Sequence, residues 1–256
     1  MLIILSPAKK LDYKSEVPVS DYTKPQFTKQ SIQLIESLQN LSQEEVGNLM
    51  NLSDNLARLN KERFMEWDIP QNPDENTRQA VFAFKGDVYQ GWNPAERSED
   101  SLKFAQNHVR ILSGLYGVLR PLDLMKPYRL EMGTRFGVNS AKNLYEFWSD
   151  IITDNLNKQL KEIDSSVLLN LASNEYAKAV NPDKLNAKII SPEFKDYKNG
   201  KYKIVSFYAK KARGLMTQFI TDNHITDPEQ IKLFDKEGYY YNDKLSEPGK
   251  PVFTRG

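Results

Sequence analysis

Residues 167–191, VLLNLASNEYAKAVNPDKLNAKIIS, carry the clearest signal of fold class in this chain of 256 residues. The run VLLNLA is a continuous apolar stretch that predicts a buried strand, NEYAKAV predicts a short helix, and AKIIS predicts a second strand. Sheets with flanking helices are assembled from strands and helices that alternate in this way. We therefore expect a mixed sheet with helices packed around it.

Helix signals recur in five other parts of the chain. Apolar residues are spaced for a helix from Thr28 onward, after Ser53, and most strongly between Leu144 and Leu160. The run SQEE at 42–45 matches a capping box that starts a further helix. The run SEDS at 98–101 precedes apolar residues at helical spacing, which predicts a helix that continues through position 112.

Strand patterns complete the framework. The runs LIIL at 2–5, AVFAF at 80–84 and KYKIVSFY at 201–208 are short, apolar or rich in β-forming residues. The run GYYYNDKLSEPGKPVF near the end predicts two strands joined by a Pro-Gly turn. Since no repeat or linker divides these elements, we predict one α+β domain over residues 1–256.

Composition excludes several classes of protein. The absence of cysteine rules out disulfide frameworks, zinc ribbons, iron–sulfur clusters and thiol nucleophiles. The four apolar residues after Met1 are too few for a signal peptide, and no apolar run approaches the ~20 residues that span a bilayer. With 35 basic and 34 acidic residues, bulk attraction to nucleic acid is excluded as well. We expect a cytoplasmic protein without membrane contact.

Positive charge is nevertheless concentrated between Tyr197 and Thr221, where six basic residues occur without an acidic one. The run FYAKKARGLM places Lys210, Lys211 and Arg213 in the first turn of a predicted helix. Cations are unfavourable at a helix start unless an anion binds there, and the free N–H groups of a helix start bind phosphate. The pattern favours an anion cradle; the alternative is a solvated basic face.

Glycines open the stretch SGLYGVLRPLDLMKPYRLEMG at 113–133. Because a helix is predicted directly before it, Ser113, Gly114 and Gly117 are expected in a turn. Glycine there caps the helix, or it lets backbone N–H groups approach a phosphodiester as in a helix-hairpin-helix module.

Charged residues follow these glycines. Arg120 is placed to pair with Asp123 or to bind phosphate. In PYRLEM, apolar residues alternate with Arg129 and Glu131, which predicts an extended segment with one buried face and one charged face.

Polar residues also gather where predicted strands end. SPAKK at 6–10 and KGDVY at 85–89 each bring lysine, and NLASNEY at 170–176 brings amides, a hydroxyl and a carboxylate. Helix capping by Ser173 or Asn174 explains the last group taken alone. Taken together, the strand ends predict one polar cleft. Its expected polar lining is Asp87, Asp123, Glu131, Asn170, Ser173 and Glu175.

Five segments, SPAKKLDY, FKGDVY, LSGLYGVLRPLDLMKPYRLEMG, NLASNEY and FYAKKARGLM, occur in an order that resembles the YaaA family of bacterial peroxide stress resistance proteins. The resemblance extends from Met1 to about Gly238, and it departs at Lys10, where relatives often carry threonine. It implies a cytoplasmic protein that limits iron-driven oxidative damage to DNA. It further implies binding to double-stranded or branched DNA through a positively charged cleft and a helix-hairpin-helix element. We expect no cofactor and infer no obligate protein partner.

Carried onto this sequence, the hairpin candidate is Ser113–Val118. The basic side chains expected to line the cleft are Lys9, Lys85, Arg120, Arg129, Lys210, Lys211 and Arg213.

Two other functions remain open at this point. Carboxylates among the cations are compatible with an enzyme that acts on a nucleotide or modified base, with Lys9, Lys85 and either Glu131 or Glu175 in acid–base roles. Direct iron binding by carboxylates fits a stress role, but no ligand spacing marks a metal site. GxxxxGK[ST], GxGxxG, HExxH and GxSxG motifs are all absent, and the only histidines are His108 and His224.

Overall fold

A five-stranded sheet forms the centre of the molecule, and the computed structural model describes every residue from 1 to 256. Strand β1 (Leu2–Leu5) pairs in parallel with β5 (Val109–Ser113) and β8 (Val167–Asn170). Strand β8 pairs in parallel with β9 (Lys188–Ile190), and only β6 (Gly117–Leu119) runs antiparallel, beside β5. All four residues of β1 are apolar and buried, as a central strand covered on both faces requires. In spatial order the strands are β6, β5, β1, β8 and β9.

A second sheet has four strands, ordered β11 (Lys201–Lys203), β10 (Glu193–Lys198), β13 (Val252–Arg255) and β12 (Tyr240–Tyr241). Strands β12 and β13 are antiparallel, and the connection between them turns between Glu247 and Lys250. The predicted pair of strands near the end of the chain is therefore confirmed. Two short ribbons add β2 (Lys10–Leu11) with β4 (Phe84–Lys85), and β3 (Arg78–Gln79) with β7 (Leu124–Met125).

Nine α-helices surround the sheets. The predicted capping box is confirmed, since Ser42 and Glu45 each accept a hydrogen bond from the other's backbone N–H. The helices are α1 (Thr28–Gln39), α2 (Gln43–Met50), α3 (Asp54–Met65), α4 (Ala80–Ala83), α5 (Asp87–Trp92), α6 (Glu99–His108), α7 (Leu144–Glu162), α8 (Asn174–Ala177) and α9 (Ser206–Asp222). Short 3-10 turns occupy Pro94–Glu96, Pro228–Leu233, Lys236–Gly238 and Asp243–Leu245.

Three predicted elements differ in the structure. The run AVFAF is a buried helical turn, α4, with only its last residue in β4. Helix α6 ends at His108, and the apolar residues after it form the central strand β5. In KYKIVSFY only the first three residues are strand, and helix α9 begins at Ser206. Each of these segments is too short for its residue pattern to distinguish strand from helix, so tertiary packing decided between them.

The elements share one hydrophobic core of 58 buried residues. Helices α5 and α9 pack closely against each other within it, where Gly91 and Gly214 leave no room for side chains. A Cβ built on Gly214 would lie 1.8 Å from the carbonyl oxygen of Val88. The predicted α+β class with a mixed sheet is confirmed. None of the helices has the length and apolar character that crossing a membrane requires.

Candidate functional site: a basic cleft

The carboxyl ends of β1 and β8 open into a cavity of about 550 Å³. The backbone N–H of Ser173, just after β8, donates to the Ser6 hydroxyl, just after β1, at 2.8 Å. Because β1 and β8 are parallel neighbours, their carboxyl ends meet at one edge of the sheet, where α/β proteins bind ligands. The parallel pairing therefore brings together two segments that lie 167 residues apart.

Basic side chains dominate the wall of this cavity, which we call the cleft. The lining also contains three carboxylates, those of Asp87, Glu131 and Glu175. Since the basic residues number six, the lining has a net positive charge. The basic lining residues are Lys9, Lys10, Lys85, Arg129, Lys210 and Arg213.

Glu131 forms the centre of an ion-pair network in the cleft. Its two carboxylate oxygens accept from Lys9 Nζ at 3.0 Å and from an Arg129 terminal nitrogen at 3.1 Å. The Nε of Arg129 is buried and has no partner within the protein. Because this donor is shielded from solvent, it is not a contact point for an anion that enters the cleft.

Glu175 is held from the other side of the cleft by the backbone N–H of Gly133, which donates to its Oε1 at 2.8 Å. The extended segment predicted from PYRLEM carries Glu131 and leads directly to Gly133, so it connects Glu131 with Glu175. Its alternation is as predicted, since Tyr128, Leu130 and Met132 are buried whereas the charged residues between them reach the cleft.

Lys85 is partly neutralised by an acidic neighbour outside the cleft lining. Its Nζ lies 2.7 Å from Asp12 Oδ2, and this hydrogen bond, together with backbone N–H donors from Ser15 and Lys14, holds the pKa of Asp12 well below its usual range. Lys10 lies directly opposite Lys85 in the β2–β4 ribbon, so one positive charge remains unpaired at this end of the cleft.

Three tyrosines complete the cleft, and sequence reasoning did not select them. Tyr89 donates its hydroxyl hydrogen bond to the carbonyl oxygen of Ser6 at 3.0 Å, while Tyr128 pairs with the hydroxyl of Ser113 at 2.6 Å. Burial raises the pKa values of Tyr89, Tyr128 and Tyr176, so these phenols stay neutral. One feature of the sequence could have identified them: they lie in the same segments as the charged residues, FKGDVY, PYRLEM and NLASNEY.

Helix α9 supplies two of its three predicted cations. Lys210 and Arg213 line the cleft, and burial lowers the pKa of Arg213. Lys211 points elsewhere and pairs with Glu237 at 2.5 Å. The predicted anion cradle at the helix start is wrong, because α9 begins at Ser206 and the cations therefore lie beyond the free N–H groups of its first turn.

The predicted helix-hairpin-helix element is also wrong. Residues 109–119 form the β5–β6 hairpin, in which Ser113 pairs with Gly117. Ser113, Gly114 and Gly117 are buried, so none of them presents a backbone N–H to DNA. A Cβ on Gly114 would lie 2.2 Å from the carbonyl oxygen of Leu130, which shows that this glycine serves close packing.

Three other predicted residues lie outside the cleft. Arg120 forms the predicted ion pair with Asp123 at 2.8 Å, and the Asp123 carboxylate is fully buried. Asn170 caps the turn after β8 by accepting from the N–H of Ala172 at 3.0 Å. Across the structure, no group of three or more histidine, aspartate or glutamate side chains is arranged to hold a metal ion.

Together, the fold and the cleft define an α+β protein with a basic, solvent-facing cavity at the carboxyl edge of a mixed sheet. The family model described as peroxide stress protein YaaA matches residues 1–245, and the chain belongs to this family. UPF0246 proteins of Teredinibacter turnerae, Hahella chejuensis and Neisseria meningitidis serogroup B are 54%, 53% and 52% identical over 255 residues. These alignments cover 100% of this chain and at least 98% of each relative.

Proposed function

We propose that the protein binds double-stranded or branched DNA through the basic cleft and so limits iron-driven oxidative damage during peroxide stress. The supporting observation is the meeting of six basic side chains from separate segments around one cavity with only three carboxylates. Because the net charge of the protein is only +1, electrostatic attraction to a polyanion depends on such local clustering.

Binding in this proposal rests on contacts to phosphate. Lys9 and Lys210 are exposed at the mouth of the cleft, and Lys210 forms no ion pair within the protein. Arg129 and Arg213 lie deeper, where a guanidinium can donate to two phosphate oxygens at once. Contacts of this kind position DNA without reading its sequence.

The protective role follows from competition for the same oxygens. Ferrous iron held at DNA phosphates generates oxidants beside the strand when it meets peroxide. Lysine and arginine side chains that cover these phosphates displace bound cations, which is the basis of salt-sensitive DNA binding.

The binding test uses charge reversal at two cleft positions. The double variant Lys9→Glu/Lys210→Glu should weaken binding to a fluorescent duplex about tenfold or more, because each change replaces an attraction to phosphate with a repulsion. The double variant Lys103→Glu/Lys158→Glu has the same net charge but alters helices α6 and α7 outside the cleft, so it should bind like the wild type. Equal losses in both variants, or none in the first, would reject the cleft as the DNA site.

The protective role has a separate readout. Plasmid nicking by ferrous iron and hydrogen peroxide should fall when wild-type protein is added and should not fall with Lys9→Glu/Lys210→Glu. Protection that survives in this variant would separate damage control from DNA binding. Calorimetry with ferrous iron would then test direct iron binding.

A second function, catalysis on a nucleotide or modified base, is favoured by two of the three carboxylates in the cleft, those of Glu131 and Glu175. Phosphate binding alone has no use for Glu131 and Glu175, yet both are held in place by hydrogen bonds. A panel of nucleotides and damaged oligonucleotides should show turnover that Glu131→Gln or Glu175→Gln abolishes. If no member of the panel is turned over, the catalytic function is rejected and only the binding function is left.

A further inference from the structure

An exposed apolar patch adjoins the cleft at the start of helix α9. It consists of Ile204, Phe207 and Tyr208, which are 54%, 54% and 43% exposed. Phe207 and Tyr208 touch edge to face, with ring centroids 5.7 Å apart. Neighbouring exposed apolar side chains with polar residues around them are typical of interaction sites.

The Tyr208 ring packs against a cation on one of its faces. Arg255 lies 4.6 Å from the Tyr208 ring and 4.5 Å from the Tyr239 ring, so its guanidinium is enclosed between the two. Asp196 in turn anchors Arg255, with Nε to Oδ1 at 2.7 Å. One face of the Tyr208 ring is therefore covered by a rigid cation, while the residue keeps an exposed surface for a ligand.

Unpaired lysines border the patch. Lys203 lies opposite Asp196 in the β10–β11 pair, on the face of the sheet that carries Arg255. Lys198 and Lys201 face each other at the end of the same hairpin. None of these three lysines, nor Lys210 on α9, has an acidic side chain within ion-pair distance, and the Asp196 carboxylate is already occupied by Arg255 and Tyr239.

We propose that this patch binds single-stranded nucleic acid, with bases stacked on Phe207 and Tyr208 and phosphates contacted by the bordering lysines. Aromatic rings beside a track of cations are the combination that single-strand binding surfaces use, because every base has a face that stacks. Lys210 lines the cleft and stands one helical turn from Phe207. Lys210 therefore links the basic lining of the cleft to the patch, where a single nucleic-acid strand would bind.

Charge argues against a second copy of this chain as the occupant. Two copies packed patch to patch would bring their unpaired lysines together, which is unfavourable without intervening anions. A polyanion supplies those anions itself. The proposal does not require the cleft to bind duplex DNA, since the patch residues Phe207 and Tyr208 lie outside the cleft lining.

The test compares a fluorescent oligothymidylate of about 16 nucleotides with a duplex of equal length by anisotropy. Phe207→Ala and Tyr208→Ala should each weaken single-strand binding about fivefold or more and leave duplex binding within about twofold. Tyr208→Phe should bind normally, because stacking needs the ring rather than the hydroxyl. Tyr240→Ala is the matched control, since Tyr240 is an aromatic residue that is 62% exposed on the opposite edge strand, β12.

A stacking signal provides a second measurement. The three tryptophans, Trp67, Trp92 and Trp148, are buried, so Phe207→Trp introduces the sole exposed indole. Oligothymidylate should quench its fluorescence, whereas a control Tyr240→Trp variant should show no quenching.

The possible outcomes separate this proposal from the DNA-binding cleft. Duplex binding that depends on Lys9 and Lys210, with unchanged single-strand binding in Phe207→Ala, overturns the patch alone. Single-strand binding lost in Phe207→Ala, without any duplex binding by the wild type, overturns only the cleft function. A dimer in sedimentation that Phe207→Ala dissociates identifies a second copy as the occupant and also overturns the proposal.

Discussion

Gly117 shows how a single residue is constrained by its surroundings. It has a φ of +67°, a left-handed conformation that L side chains rarely adopt, and a Cβ there would lie 2.6 Å from the Trp148 ring. The position therefore demands glycine for two independent reasons, backbone conformation and space. Neither reason involves a ligand, although the sequence around Gly117 is compatible with a phosphate-binding turn.

The two reasons can be separated by mutation. Gly117→Ala should lower the free energy of unfolding by about 2–5 kcal/mol, the sum of left-handed strain and overpacking against the indole. Gly200→Ala carries the strain alone, since Gly200 has a φ of +79° with no atom within 4 Å of its Cβ. Urea unfolding should therefore show a loss of only about 1–2 kcal/mol for Gly200→Ala. Equal losses would mean that the Trp148 contact relaxes at no cost.

Asp12 should make stability depend on pH in the acid range. Its pKa is lowered in the folded state, chiefly by Lys85, so it binds a proton less readily folded than unfolded. The resulting stabilisation is present above about pH 4, the ordinary aspartate range, and disappears as pH falls towards the folded pKa. Urea unfolding at several pH values should show a shallower acid dependence in Asp12→Asn.

Lys85→Gln provides the matched variant, because it removes the main cause of the pKa shift and keeps the carboxylate. In Lys85→Gln, the free energy of unfolding should likewise depend less steeply on pH in the acid range. If the acid dependence of both variants equals that of the wild type, Asp12 does not couple folding to protonation.

At the scale of elements, the packing of α5 against α9 positions one part of the cleft wall. Gly91 lies against the carbonyl oxygen of Lys211, where a Cβ would approach to 2.2 Å, and Gly214 lies against α5 in the same way. Helix α9 carries Lys210 and Arg213, and α5 begins at Asp87, so the glycine contact sets the distance between the two walls.

Gly214→Ala should therefore affect stability and binding together. The methyl group forces α9 away from α5, which should cost about 1–3 kcal/mol of unfolding free energy and weaken duplex binding. Gly47→Ala is the control, because Gly47 lies in helix α2 with its nearest atom, the Cβ of Ala57, at 3.3 Å. Its unfolding free energy should change by less than about 1 kcal/mol, since better helix propensity offsets the tight contact. If a folded Gly214→Ala protein binds duplex DNA as the wild type does, the spacing of α5 and α9 does not determine binding in the cleft.

Element types were predictable where periodicity was sustained and failed where short apolar runs were ambiguous. The long helix α7 and the capping box at Ser42 depend on local spacing and hydrogen bonds, so the sequence alone reveals them. The run 109–113 continues the helical spacing of α6, yet it pairs with β1 because a buried strand there completes the central sheet. Local propensity does not include the free energy of pairing with β1, so it cannot predict whether the run forms helix or strand.

At the scale of the whole molecule, the number of cations that reach DNA is a measurable quantity. The logarithm of duplex affinity should fall linearly with the logarithm of salt concentration, with a slope of about −0.9 per neutralised phosphate. Lys9→Met and Lys210→Met should each reduce the magnitude of this slope by about 0.9 if each contacts one phosphate. Lys158→Met, on the exposed face of α7, should leave the slope unchanged. A slope that is the same in all three variants would contradict phosphate contacts in the cleft.

The sequence by itself determined the α+β class, the family and the charged segments, because these depend on composition, periodicity and residue order. Only the tertiary structure decided which of the charged side chains meet. Lys211 and Arg120 belong to the same segments as Lys210 and Arg129, yet they pair with Glu237 and Asp123 outside the cleft. The physical reason is that side-chain direction depends on where a helix begins and which strands are neighbours. Those choices are made by core packing among residues far apart in the chain.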